Sequence, residues 1–162
     1  MRIIGIDPGK SGAIAVLDEG KYLASYFCPT IEVGDKNEYD ERSMAGLIKM
    51  SAEGCDELRI VLERVHAMPL DSTSGAFSFG TGYGIWKGII AALEIPFQEV
   101  SPQRWMKQML QDVPRNKAGK DKQRSVVAAR RIFPTMPLTR KKDEALAEAA
   151  LIAAFGHREI WK

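Results

Sequence analysis

The chain has 162 residues, of which 45% are hydrophobic and 27% charged, with a formal net charge of +2. That length and balance suit a folded domain with its own core and exclude low-complexity and disulfide-scaffold classes. No stretch reaches the ~20 apolar residues of a membrane span, and the amino terminus lacks a secretion-signal pattern, so a single cytoplasmic domain over residues 1–162 is expected.

Taken in order, residues 2–7, 12–18 and 21–28 read as three strands separated by glycine-containing turns, a meander that opens the fold. Asp7 ends the first apolar run (Ile3, Ile4, Ile6), and the Pro-Gly and Ser-Gly steps of residues 8–12 predict a hairpin turn after it. A carboxylate in a strand this apolar is costly unless something compensates it. Two readings stand side by side: a bound cation, or a side chain that caps its own turn. A polar loop over 31–37 leads to a helix over 40–52 whose stripe is Met44, Leu47, Ile48 and Met50. Residues 59–63 form a short buried strand that also ends in a carboxylate, Glu63. Residues 68–84, rich in Gly, Ser, Thr and aromatics, predict a loop feeding a helix over 84–93. Residues 96–100 return as a fifth strand, and Ser101 with Pro102 starts a helix that turns Trp105, Met109 and Leu110 inward. A basic loop precedes a helix over 121–133, and the last helix, over 144–155, stops at Gly156. Together these elements predict a mixed α/β layer fold, with a five-stranded sheet whose three N-terminal strands are antiparallel, flanked by helices.

Cys28 and Cys55 have no second ligand at metal spacing, and His66 and His157 are equally isolated. Any metal must then rest on carboxylates, which favours a hard cation such as Mg²⁺ or Mn²⁺. The net charge conceals a division: residues 1–100 carry a balance of −6 and residues 101–162 a balance of +8. Arg115, Lys117, Lys120, Lys122 and Arg124 crowd one segment, which reads either as a contact for a polyanion or as a solvated helix face. Asp143, Glu144 and Glu148 open the last helix. Glu144 and Glu148 share a helix face, whereas Asp143 joins Glu148 only if it stands just outside the helix as its cap. Acids there also answer the helix dipole. Three acidic sites from distant parts of the chain, brought together, need a counter-charge that divalent ions supply.

Four segments carry a resemblance: Ile-Ile-Gly-Ile-Asp-Pro-Gly-Lys-Ser-Gly-Ala-Ile-Ala-Val at 3–16, Val-Leu-Glu-Arg-Val at 61–65, Asp-Lys-Gln-Arg-Ser-Val at 121–126, and Lys-Lys-Asp-Glu-Ala-Leu-Ala-Glu-Ala-Ala-Leu-Ile-Ala at 141–153. In this order the chain resembles the RuvC-type Holliday-junction resolvases, with a likeness to phage-encoded and plant chloroplast members. The resemblance implies an RNase H-like fold, a homodimer, and Mg²⁺-dependent cutting of two opposed strands at a four-way DNA junction, Mn²⁺ substituting for Mg²⁺. Carried over by position, Asp7 matches the first-strand ligand, Glu63 the fourth-strand acid, and Asp143 with Glu148 the acidic pair of the last helix. Some relatives differ in acid spacing or carry a histidine where this chain has Glu144, so the third ligand lies between Asp143 and Glu144, with Asp143 preferred. These acids are expected to hold two ions for phosphodiester hydrolysis, with Lys122 at the scissile phosphate.

Lys107, Arg115, Lys117, Lys120, Lys122 and Arg124 are expected on DNA phosphates. His66, Phe77 and Phe79 either stack on unpaired bases or, for the two phenylalanines, pack in the core or a dimer interface. A helix around Trp86 to Leu93 is the candidate dimer contact, since a two-fold pair matches the near two-fold symmetry of a junction. The rival readings are a related nuclease acting on forks, flaps or RNA–DNA hybrids, and a non-catalytic junction-binding module, which need not keep the acids.

Overall fold

A computed structural model describes residues 1–64, 72–114 and 124–161. β1 (Arg2–Asp7), β2 (Ala13–Asp18) and β3 (Lys21–Phe27) form the antiparallel meander that the sequence predicts. A separate hairpin follows, β4 (Thr30–Val33) and β5 (Lys36–Tyr39), and then α1 (Glu41–Ala52). β6 (Leu58–Glu63) adds to β1 in parallel, and after α2 (Thr73–Ala92), β7 (Phe97–Val100) adds to β6, also in parallel. The sheet order is β3-β2-β1-β6-β7, which makes β1 central. α3 (Pro102–Met109), α4 (Arg124–Ile132) and α5 (Glu144–Phe155) complete the chain.

Period-two alternation sorts the strand side chains between two cores. Ile4, Ile6, Ile14, Val16, Ile60 and Leu62 pack with Met44 and Ile48 of α1 and Trp86 and Ile90 of α2. Ile3, Ala13, Ala15, Leu17 and Val61 point the other way, towards Trp105 and Met109 of α3, Ala128 and Ala129 of α4, and the buried face of α5. The sheet is therefore covered on both faces, which explains why β1 and β2 read as near-continuous apolar runs. No described helix is long and apolar enough to cross a membrane.

Three local expectations are corrected. The predicted polar loop over 31–37 is the β4–β5 hairpin, because Thr30, Ile31 and Val33 favour extended backbone and Gly34 takes the positive φ of +61° that the turn requires. The predicted loop over 68–84 is instead helical from Thr73 onward, capped by Ser72, whose hydroxyl accepts from the Gly75 amide at 3.1 Å. Its glycines suggested a loop, but Gly82 serves close approach: a Cβ there would lie 2.3 Å from the Tyr39 hydroxyl and 2.7 Å from the Pro8 carbonyl. Gly156 does not stop the last helix, which continues through a π-helical turn over Gly156–Ile160. That glycine provides clearance as well, since a Cβ would meet Val61 at 2.4 Å.

Candidate active site

Asp7 and Glu63 are the last residues of neighbouring central strands. The parallel register pairs Ile6 with Leu62, so the two acids stand side by side one step further on. By alternation they continue the sets Ile3, Gly5 and Val61, and so face the side of the sheet that α5 covers. The turn after Asp7 is closed by its own backbone, the Gly12 amide donating to the Gly9 carbonyl at 2.9 Å. A Cβ on Gly12 would lie 2.3 Å from the Asp7 carbonyl, so the tight return needs glycine. Asp7 contributes little to that turn: its carboxylate accepts only a long 3.5 Å contact from the Gly9 amide.

Small residues bring α5 onto β1. At Gly5, a Cβ would sit 2.1 Å from the Ala149 carbonyl and 2.5 Å from the Ala153 amide nitrogen. With no side chain on the strand and alanines on the helix, the backbones nearly touch. Glu148 precedes Ala149 and is thereby delivered to the carboxyl end of β1, with Glu144 one turn before it on the same helix face. Asp7, Ser11, Lys141, Lys142, Glu144, Ala145 and Glu148 line a recess of about 270 Å³.

Two hydrogen bonds, neither expected from sequence, orient the acids. The Trp105 indole N–H on α3 donates to Glu63 Oε1 at 2.7 Å, and the Ser125 hydroxyl on α4 donates to Glu148 Oε1 at 3.1 Å. Both donors are buried, each 1% exposed. Even so, the site holds more negative charge than its donors satisfy. Burial pushes the Asp7 carboxyl up to about 6 against the weak pull of the Gly9 amide. Burial also raises Glu63 to about 7, the charge on Asp7 adding to the effect and the Trp105 bond opposing it. Glu148 rises furthest, to about 8, through burial and the charges of Asp7, Glu144 and Glu63, against the Ser125 bond. The mutual repulsion shows that these carboxylates share one electrostatic environment.

Asp143, the preferred third ligand from sequence, does not line the recess. Asp143 ends a 3-10 turn, Lys141–Asp143, that leads into α5, and it is fully buried. One carboxylate oxygen accepts from the Thr139 and Arg140 amides at 2.9 and 2.7 Å, and the other accepts from Nε and Nη2 of Arg140 at 3.1 and 2.8 Å. Arg140 and these amides hold its carboxyl down at about 2. Asp143 is thus occupied in shaping the start of the helix, and the next residue, Glu144, lines the recess instead.

The other expected residues fall into three groups. His66, Arg115, Lys117, Lys120 and Lys122 lie outside the described residues. Lys107 is exposed on α3, and Phe77 is 78% exposed on α2. Phe79 packs its ring against Gly9 in the turn after Asp7, where a Cβ would come within 3.0 Å of it. Arg124 is turned to structural use: its guanidinium donates to the Val113 and Leu110 carbonyls at 2.9 and 2.7 Å, tying α4 to the end of α3. In the candidate dimer helix, Trp86 and Ile90 are wholly buried in the core, while Gly88 and Ala91 on the same helix are exposed.

Among the described residues, no group of three or more His, Cys, Asp or Glu side chains is already arranged to hold a metal ion. The donor chemistry nevertheless fits one. Asp7, Glu63, Glu144 and Glu148 offer oxygen donors only, and the recess has uncompensated negative charge that a hard divalent cation relieves.

The sequence matches no family model and no curated protein. Solved structures do match in fold. A structure titled "T. thermophilus RuvC in complex with Holliday junction substrate" aligns over 97% of this chain and 92% of that one, with a TM-score of 0.65 and 15% sequence identity. A second, of Thermus thermophilus RuvC, aligns over 97% and 96% of the two chains, with a TM-score of 0.58 and 18% identity. The mixed five-stranded sheet and its helices, with Asp7 and Glu63 at its central edge, therefore form a RuvC-like, RNase H-type fold.

Proposed function

We propose that this protein is a structure-selective DNA endonuclease that resolves four-way junctions by hydrolysing phosphodiester bonds. The observation that carries the reading is the convergence of Asp7, Glu63, Glu144 and Glu148 at one end of the central strands. Support comes from the shared fold with a protein solved on a Holliday-junction substrate. The four carboxylates would hold two divalent ions, Mg²⁺ or Mn²⁺. When bound, such ions supply neutralisation of phosphate charge and acidification of water.

The rest is done by the chain. Trp105 and Ser125 hold Glu63 and Glu148 in place from two different helices, each bonding one carboxylate oxygen and leaving the other for an ion. Lys141 and Lys142, beside the acids, offset the approach of an anionic strand to an anionic site. Lys107 and the basic segment of residues 115–123 would bind flanking phosphates, with Lys122 nearest the cut, and Phe77 would meet a base at the branch point. Two copies of the chain would each cut one of two opposed strands. A DNA substrate fits a cytoplasmic setting.

The test is incubation of purified protein with a mobile four-way junction, a fork, a plain duplex and an RNA–DNA hybrid, each with Mg²⁺ or with chelator. Symmetric nicking of the junction in Mg²⁺, with the duplex spared, is the expected result. Equal cutting of the hybrid would move the reading to an RNase H-like nuclease, and binding without any cutting would leave a junction-binding module.

A further inference from the structure

A second recess opens beside the acid pocket, between α4 and the turn that leads into α5. It encloses about 430 Å³, within the size range of small-ligand sites. Its floor is apolar, made by Val126, Val127 and Leu138, and its rim carries Arg130 and Lys141. Lys141 and Glu144 line both recesses, so the two are immediate neighbours. Arg140, also on this wall, is neutralised by Asp143. Arg130 is not: its guanidinium donates to the Leu138 carbonyl, a neutral acceptor, and its positive charge remains available. Val127 is 37% exposed, an apolar side chain left open next to a strongly charged site.

An apolar floor with a cationic rim is complementary to one molecular class in particular, a nucleotide, whose base offers a flat apolar face and whose phosphate offers negative charge. Adjacency to the acids says which nucleotide. We propose that this recess is a subsite for one unpaired nucleotide of the strand to be cut, adjacent to the scissile phosphate, with its base on Val126, Val127 and Leu138 and its phosphate towards Arg130 and Lys141. The proposal rests on the junction-cutting reading above and adds to it a place where base identity is felt. Unstacking is cheapest where pairing is already broken, so a branch point delivers such a nucleotide at least cost.

The experiment places 2-aminopurine at successive positions around the branch point of a four-way junction. Asp7→Asn protein binds it without cutting, and emission is read with and without the added Val127→Glu substitution. One position should change emission about twofold or more on binding, and Val127→Glu should abolish that change while junction affinity in a gel shift stays within about threefold, because phosphate contacts dominate affinity. At the same position an abasic residue should slow cutting by otherwise native protein about fivefold or more, as expected when one apolar contact to the base is lost. Protein carrying Val127→Glu alone should be indifferent to that lesion. Val127→Ser, which keeps the size small, guards against a folding defect and should give an intermediate response. A response at no position, or Val127→Glu protein that reports and discriminates like the native one, overturns the subsite while leaving junction cutting intact. Failure of the native protein to cut any junction in Mg²⁺ overturns both.

Discussion

Asp143 and the acids Asp7, Glu63 and Glu148 belong to opposite kinds of environment. Around Asp143 the chain supplies four donors to two oxygens, and the carboxyl is held down at about 2. Around Asp7, Glu63 and Glu148 it supplies one hydrogen bond to each, that to Asp7 being long, and their carboxyls rise to about 6, 7 and 8. A fold that so fully satisfies one buried acid shows how it treats a structural carboxylate. The under-satisfied group one helical turn away is then a site kept open for something from outside, as functional sites with perturbed titration tend to be.

Substitutions break this contrast in graded ways. The largest effect is expected from Asp7→Asn, which should reduce junction cleavage to background while leaving junction binding in a gel shift intact. Next come the orienting donors: Trp105→Phe or Ser125→Ala should weaken Mn²⁺ binding, measured by calorimetry, by about 10- to 100-fold, the usual cost of losing a partner behind a ligand. Exchanging the two neighbouring acids sharpens the contrast most directly. Asp143→Asn should lower stability by about 1–3 kcal/mol in denaturant titration, as for loss of a bond to a charged group, and spare Mn²⁺ binding. Glu144→Gln, which changes a residue lining the recess, should weaken Mn²⁺ binding.

The contrast also shows in the pH dependence of the ion-free protein, whose sign follows from the shifts. Asp7, Glu63 and Glu148 have folded values of about 6, 7 and 8 against ordinary values of 3.8, 4.5 and 4.5. The folded state therefore holds more protons than the unfolded state from about pH 4 to 8, and stability should fall as pH rises through that window. Asp143 acts in the opposite sense, its contribution being present above about pH 4 and lost as pH drops towards 2. Melting temperatures in chelator from about pH 2 to 8 check both limbs in the native protein, and Glu148→Gln should show the shallower decline above about pH 4.

The sheet and two of the acids were legible in the sequence because the signal is local. Asp7 and Glu63 each end an apolar run, and the alternation before them fixes strand, face and end. Which of Asp143 and Glu144 lines the recess was not legible, since it depends on where Arg140 closes its capping bonds, a matter of one residue in the register of a helix start. Trp105 and Ser125 were hidden for a different reason. Their carboxylate partners lie 42 and 23 residues away in sequence, and an inward-facing tryptophan or serine reads as packing until its polar atom is seen to meet something. The glycines of α2 misled because composition reports flexibility, whereas Gly82 is there to let two segments touch.

The contact of Gly5 with Ala149 and Ala153 joins almost the first segment of the chain to almost the last. During synthesis β1 and β6 leave the ribosome early with their acids, but no complete charge cluster forms until α5 has been made and has settled onto the bare stretch of β1. Assembly order thus imposes a delay: a half-made polypeptide carries the separate acids of the recess without the means to unite them.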